Sequence, residues 1–140
     1  MCGICGIVKL DGSEVDGVLL QRMTDALSHR GPDGGGVCLE RAVGLGHRRL
    51  SVIDVSAAAQ QPMISQDNNH VLVFNGEIYN FQALRSMLEK RGCRFVSSGD
   101  TEVLLALYQE FGENCLQYLR GMFAFAVFDK KKHCLFLARD

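Results

Sequence analysis

Apolar and polar positions fall along this chain in blocks whose spacing predicts its elements. Cys2 to Leu10 (CGICGIVKL) is short, apolar and glycine-punctuated, the pattern of a buried strand, and Asp11-Gly12-Ser13 after it is turn chemistry. Val18, Leu19, Met23, Ala26 and Leu27 recur at helical spacing and predict an amphipathic helix ending before His29. The run HRGPDGGG, His29 to Gly36, reads as a loop or clamp because Pro32 and its glycines oppose regular structure. Val37 to Leu39 and Val43 to Gly46 are short strand candidates, and Leu50 to Val55 is a further apolar-rich segment. Ser56 to Asn69 is polar, holds Pro62 and reads as a long surface loop.

His70 to Phe74 (HVLVF) is a β-branched run that meets Asn75-Gly76, a strong turn signal. Phe81, Leu84, Met87 and Leu88 make a second helical face, closed by Arg91-Gly92. Asp100 or Thr101 is the expected N-cap of a third helix through Val103, Leu104, Leu107 and Phe111. Met122 to Phe128 and Cys134 to Ala138 flank a lysine turn as a hairpin. Strands and helices are interspersed without regular βαβ alternation, which favours an α+β fold over a doubly wound sheet.

Composition narrows the class. With 140 residues, 47% of them hydrophobic, the chain suits one domain with a real core. The formal net charge is -1, and the Lys130-Lys131-Lys132 triplet between apolar runs reads as a solvated turn, so no nucleic-acid partner is expected. No apolar stretch approaches the ~20 residues that cross a bilayer, so no membrane partner is expected. The N-terminus lacks a basic region followed by an apolar one, and a reducing cytoplasmic location is the expectation. There Cys2, Cys5, Cys38, Cys93, Cys115 and Cys134 are free thiols, most of them small core residues.

Cys2 differs by its position. Removal of Met1 would leave it with a free α-amine of unperturbed pKa about 7.7–8.0, able to act as base for the adjacent thiol. Two plainer readings stand beside this one: an ordinary buried thiol at a strand start, and a Cys2-Gly3-Ile4-Cys5 metal or redox pair. The pair lacks a second CxxC or CxxH and a following helix, so no metal site is expected. An acyl-transfer nucleophile needs donors for a developing oxyanion, which Asn75-Gly76 can supply. An amino-acid substrate needs a fork donor for its carboxylate (Arg49, Arg48 or Arg30) and a carboxylate for its ammonium (Glu77 or Asp100).

Eight segments in order carry a resemblance: MCGICGIV, HRGPDGGG, GHRRLSVID, QQPM, FNGEIYNF, SGDTEVLLALYQEFG, LRGMFAFAVFD and LFLARD. Together they resemble the class II (N-terminal-nucleophile) glutamine amidotransferase domain of asparagine synthetase, over essentially the whole chain. HRRLSVID and GEIYN are similar to that type rather than to the phosphoribosyl-pyrophosphate or glucosamine-phosphate types. The resemblance implies an N-terminal-nucleophile hydrolase sandwich, two stacked antiparallel sheets between helical layers (α/β/β/α).

It also implies roles. Cys2 is the nucleophile; Asn75 and Gly76 form the oxyanion hole; Arg49 binds the glutamine carboxylate, with the Leu50 to Ile53 backbone lining the same pocket. Glu77 and Asp100 hold the ammonium, Gly99 permits close backbone approach, and Arg30, Gly31, Pro32 and Asp33 support the pocket. No catalytic role falls to His29, His47, His70 or His133. The implied reaction is hydrolysis of L-glutamine to glutamate and ammonia through a Cys2 thioester, with no cofactor for that step. In the family the ammonia passes to a C-terminal domain that uses ATP and Mg to convert aspartate to asparagine. That domain's SGGxDS run is absent from these residues, and the chain stops at Arg139-Asp140, so residues 1–140 are expected to be an incomplete amidotransferase domain. A homodimer is compatible with the resemblance. The alternatives are delivery of ammonia to a sugar or another carboxylate, and a non-catalytic glutamine-binding module.

Overall fold

The computed structural model describes residues 1–140 and contains two antiparallel sheets. The first joins β1 (Gly3–Val8), β2 (Gly34–Glu40) and β3 (Val43–Arg49) in the order β1-β3-β2. The second runs in chain order through β4 (Met63–Ile64), β5 (His70–Ile78), β6 (Gly121–Asp129) and β7 (Cys134–Arg139). Period-two alternation sends one face of each sheet inward. Val43 and Leu45 of β3 meet Val71 and Val73 of β5 and Ala126 and Phe128 of β6 in a core between the sheets.

Helices close both outer faces. Helix α1 (Gly17–Ala26) lies on the first sheet, where Gly44 and Gly46 of β3 admit it closely; a Cβ at Gly46 would stand 2.2 Å from the Thr24 hydroxyl. Helices α2 (Phe81–Lys90) and α3 (Asp100–Phe111) cover the second sheet. Leu72, Leu88, Leu104 and Leu107 are buried completely or nearly so in that larger core, each burial worth about 1.5–3 kcal/mol. The result is the expected α/β/β/α sandwich.

Several local expectations change. The stripe that α1 buries is Leu20 and Thr24, while Val18 and Leu19 face solvent. Thr24 is inside because its hydroxyl donates to Leu20 O at 2.9 Å, so a polar residue occupies an apolar position without an unmet donor. Asp16 caps this helix by accepting from the Val18 and Leu19 amides. Gly34, Gly35 and Gly36 belong to β2, not to a loop; Arg48 and the Gln61 carbonyl lie over Gly35 and Gly36 so closely that a side chain has no room.

Asn75-Gly76 is not a turn but the middle of β5, held extended by pairing with Ala124 and Phe123 of β6. Ser56 to Asn69 contains β4 and buries Gln61, Met63 and Ser65. Leu50 to Val55 is an irregular loop with Val52 and Val55 exposed. The N-cap of α3 is Gly99; Asp100 is the first helical residue and turns its carboxylate to the Ile78 amide. The lysine turn is as expected, with the Asp129 carboxylate accepting from the Lys131 and Lys132 amides at 3.0 Å. No helix is long and apolar enough to cross a membrane.

Candidate active site

Pairing of Gly3 with Arg48 sets the start of β1 beside the end of β3, so Cys2 lands against Leu50. The Leu50 amide donates to the Cys2 sulfur at 3.3 Å, and Arg30 Nε donates to the Cys2 carbonyl at 3.0 Å. The thiol opens on a cavity of about 130 Å³ bounded by the Leu50 to Asp54 loop, the outer edge of β5 and the start of α3. Met1 also lines it.

Of the residues expected at the site, Cys2, Arg49, Leu50, Ile53, Gly76, Glu77, Gly99 and Asp100 border this one cavity. Asn75 does not: strand alternation puts its side chain on the other face from Gly76, and its Oδ1 is buried without a partner. Arg48 forms an ion pair with Asp25 at 3.7 Å, away from the thiol. Cys5, second member of the CxxC, faces Thr24 at 3.4 Å rather than Cys2, and no His/Cys/Asp/Glu group has the arrangement of a metal site.

Arg49 is buried beneath the loop it helps to shape. Nη1 donates to Ser56 O at 2.9 Å and Nη2 to Asp54 O. The Asp54 carboxylate accepts from the Ser56 amide at 2.8 Å and from the Ser98 amide and hydroxyl at 2.7 and 3.0 Å. These bonds from Ser56 and Ser98 hold it well below the usual carboxylate range, and they strap the loop to the segment before α3. Asp33 accepts from the Ser51 amide at 2.8 Å, which gives the RGPD run its supporting part.

The edge of β5 explains why a backbone donor faces the cavity. In an antiparallel ladder alternate residues turn their N–H and C=O away from the neighbouring strand. Tyr79 donates toward the β6 side, to Arg120 O, so Phe74, Gly76 and Ile78 point outward. The Phe74 amide donates to Gln61 Oε1 at 2.6 Å and the Ile78 amide to Asp100 Oδ2 at 2.9 Å. Gly76 stands between them and presents its N–H to the cavity. A Cβ there would stand 2.2 Å from Met122 O, so only glycine fits.

Asp100 is almost fully buried, and burial raises its pKa, with the Glu77 carboxylate adding to the rise. Two carboxyl groups crowded beside one cavity favour a cationic partner. Gln61, Asp54 and Ser98, which order this site, lie in segments that carry the resemblance, but no role was assigned to them; their contacts appear only when the fold buries them.

The same sandwich occurs in glutamine phosphoribosylpyrophosphate amidotransferase from Bacillus subtilis, solved with ADP and GMP. That match has a TM-score of 0.78 at 24% identity and covers 100% of this chain and 37% of that one. The chain thus shares the fold of the matching part of that enzyme. Residues 1–140 match the sequence model of the glutamine amidotransferase domain, and the chain belongs to that family. Among curated relatives it is 45% identical to asparagine synthetase [glutamine-hydrolyzing] 3 of Bacillus subtilis, over 100% of this chain and 23% of that protein. It is 44% identical to asparagine synthetase B [glutamine-hydrolyzing] of Escherichia coli, over 100% of this chain and 25% of that protein. The chain therefore spans about a quarter of the length of these relatives.

Proposed function

We propose that this chain hydrolyses L-glutamine to glutamate and ammonia, with Cys2 as nucleophile. The observation that carries the reading is the convergence on one cavity of the Cys2 thiol, the outward Gly76 amide, Arg49 and the Asp100 carboxyl. With Met1 removed, the Cys2 α-amine takes the thiol proton as sulfur attacks the side-chain amide carbon. The Gly76 N–H receives the oxyanion of the tetrahedral intermediate. Its collapse breaks the C–N bond, and the amine returns the proton to the departing ammonia. Water then cleaves the γ-glutamyl thioester, freeing glutamate and the thiol.

Arg49 receives the α-carboxylate, with Leu50 and Ile53 alongside. Asp100 and Glu77 hold the α-ammonium, and Gly99 lets the backbone come close. This step uses no cofactor in the proposed mechanism. The names of the curated relatives, glutamine-hydrolysing asparagine synthetases, support delivery of the ammonia to asparagine synthesis; its making from aspartate in a further domain that uses ATP and Mg belongs to the proposal. A cytoplasmic location and a homodimer belong to the same proposal.

The test is glutamate release from glutamine by the full chain and by Cys2→Ala. The substitution is expected to reduce release to background with the circular dichroism spectrum unchanged; undiminished release removes Cys2 from the chemistry. A second reading, a glutamine-binding module without turnover, holds if Met1 is retained, since at the cavity wall it would block the Cys2 amine. Intact mass decides between them. A chain that retains Met1, binds glutamine and releases no glutamate supports the second.

A further inference from the structure

The outer edge of β5 loses its neighbouring strand before it reaches the cavity. β4 pairs only with Val71 and Leu72, so the outward groups of Phe74 have no strand to meet. Side chains meet them instead. Gln61 Oε1 accepts from the Phe74 amide at 2.6 Å, and His47 Nε2 donates to the Phe74 carbonyl at 3.2 Å. Both side chains are buried, His47 completely, so neither is free to swing away. Burial also lowers the His47 pKa to about 4, with Arg49 adding to the fall, so the ring is neutral near pH 7 and its Nε2 carries the donated proton.

The two anchors reach Phe74 from different elements. His47 lies on β3, two residues before Arg49 and with its side chain on the same face; Leu50, just beyond, touches the Cys2 sulfur. Gln61 lies in the segment that leads into β4 and itself borders the cavity. Gly76 follows Phe74 by two residues, the next outward position on the same edge. The bonds at Phe74 therefore tie the strand bearing the amide donor to the strand end that seats the thiol.

We propose that His47 and Gln61 are positioning residues, which anchor the outward C=O and N–H of Phe74 and so hold the Gly76 N–H in place opposite Cys2. This rests on the proposed glutaminase reading of the site. Neither side chain touches substrate in this role; each acts through the backbone. Loss of either leaves a buried main-chain group unpaired, and the edge shifts to find a partner. A donor displaced by about 1 Å loses catalysis by as much as ~100-fold without losing ground-state binding.

The full chain is compared with Gln61→Met, His47→Leu and His47→Gln, the last retaining a side-chain N–H donor. Gln61→Asn, shorter by one methylene, replaces Gln61→Met where that variant does not fold. Competent sites are counted by stoichiometric alkylation of Cys2 with an electrophilic glutamine analogue, and kcat is expressed per site. Gln61→Met and His47→Leu are expected to lower kcat about tenfold to a hundredfold with KM for glutamine within about threefold. His47→Gln is expected to restore most of it. An unchanged kcat per site in both, even with a lowered Tm, overturns the clamp, and so does a rise in KM alone. The Gly76 amide resonance in a ¹⁵N–¹H spectrum gives a second reading free of turnover: it moves in the disrupted variants and returns in His47→Gln. A Gly76 resonance that stays in place overturns the clamp. A wild-type chain that releases no glutamate, with Gly76 still responding to His47 and Gln61, instead overturns the glutaminase reading alone.

Discussion

Acidification offers a quantitative test of the packing around His47. The ring has no solvent exposure, its Nδ1 has no partner, and burial holds its pKa to about 4. In the unfolded chain it titrates near 6.5. Between those values the unfolded state binds a proton that the folded state refuses, so stability falls as pH drops from 6.5 toward 4. The difference of about 2.5 units, at about 1.36 kcal/mol each, gives a loss of about 3 kcal/mol once both states are protonated. By pH 4.5 about 2.5 kcal/mol of it has gone. Urea unfolding at pH 7.5, 6.0, 5.0 and 4.5 would be followed for the wild type and His47→Gln, which keeps the donor and does not titrate.

Other groups change stability too, and they are common to both proteins. Asp100, raised by burial, favours its neutral form on folding and contributes stability that is lost as pH rises through its folded pKa. Asp67, lowered to about 2 by bonds from Ser65 and Asn69, loses its contribution as pH falls below the ordinary carboxylate value. Both effects cancel in the difference between the two proteins. That difference is expected to change by about 2.5 kcal/mol in favour of His47→Gln between pH 7.5 and 4.5. A difference that stays constant across the series refutes the argument that burial keeps this ring neutral.

Further expectations follow from the site and its supports. Arg49→Ala removes a ground-state contact and is expected to raise KM for glutamine about tenfold or more with a smaller change in kcat; a fall in kcat alone would misplace the residue. Gly31→Ala would put a Cβ within 2.3 Å of the Arg48 backbone, and a loss of about 3 kcal/mol is expected in urea unfolding. An unchanged midpoint would deny that contact. Asp54→Ala unstraps the Leu50 to Ser56 loop, and limited proteolysis is expected to cut there first; equal resistance would show that the Ser98 bonds do not hold it.

The elements legible in the sequence were those whose own apolar spacing coincides with their packing. Leu84 and Leu88 of α2, and Val103, Leu104 and Leu107 of α3, were expected inside and are inside. Asn75-Gly76 misled because local turn chemistry says nothing of β6, whose pairing overrides it across the whole of β5. The Gly34 to Gly36 run misled in the same way: flexibility suggested a loop, while the fold needed small residues under Arg48 and Gln61. The site could not be assembled from spacing alone, since Cys2, Arg49, Gly76 and Asp100 meet only when both sheets and α3 are in place. Their roles entered through resemblance, which names residues but not the bonds that orient them. The Asp54 strap and the Gln61 contact come from tertiary burial of ordinary polar residues, a property with no local signature.

The outward edge of β5 has a consequence for how this molecule would be mapped experimentally. The donor ascribed to Gly76 belongs to the peptide bond, so no exchange of side chains deletes it. Any larger residue there meets the Met122 carbonyl and disturbs the strand. A saturation scan would consequently score Gly76 as intolerant for reasons of folding, and its chemistry would stay hidden among structural positions. Semisynthesis that replaces the amide with an ester separates the two, because it removes a single N–H while leaving every side chain and the shape of the strand in place.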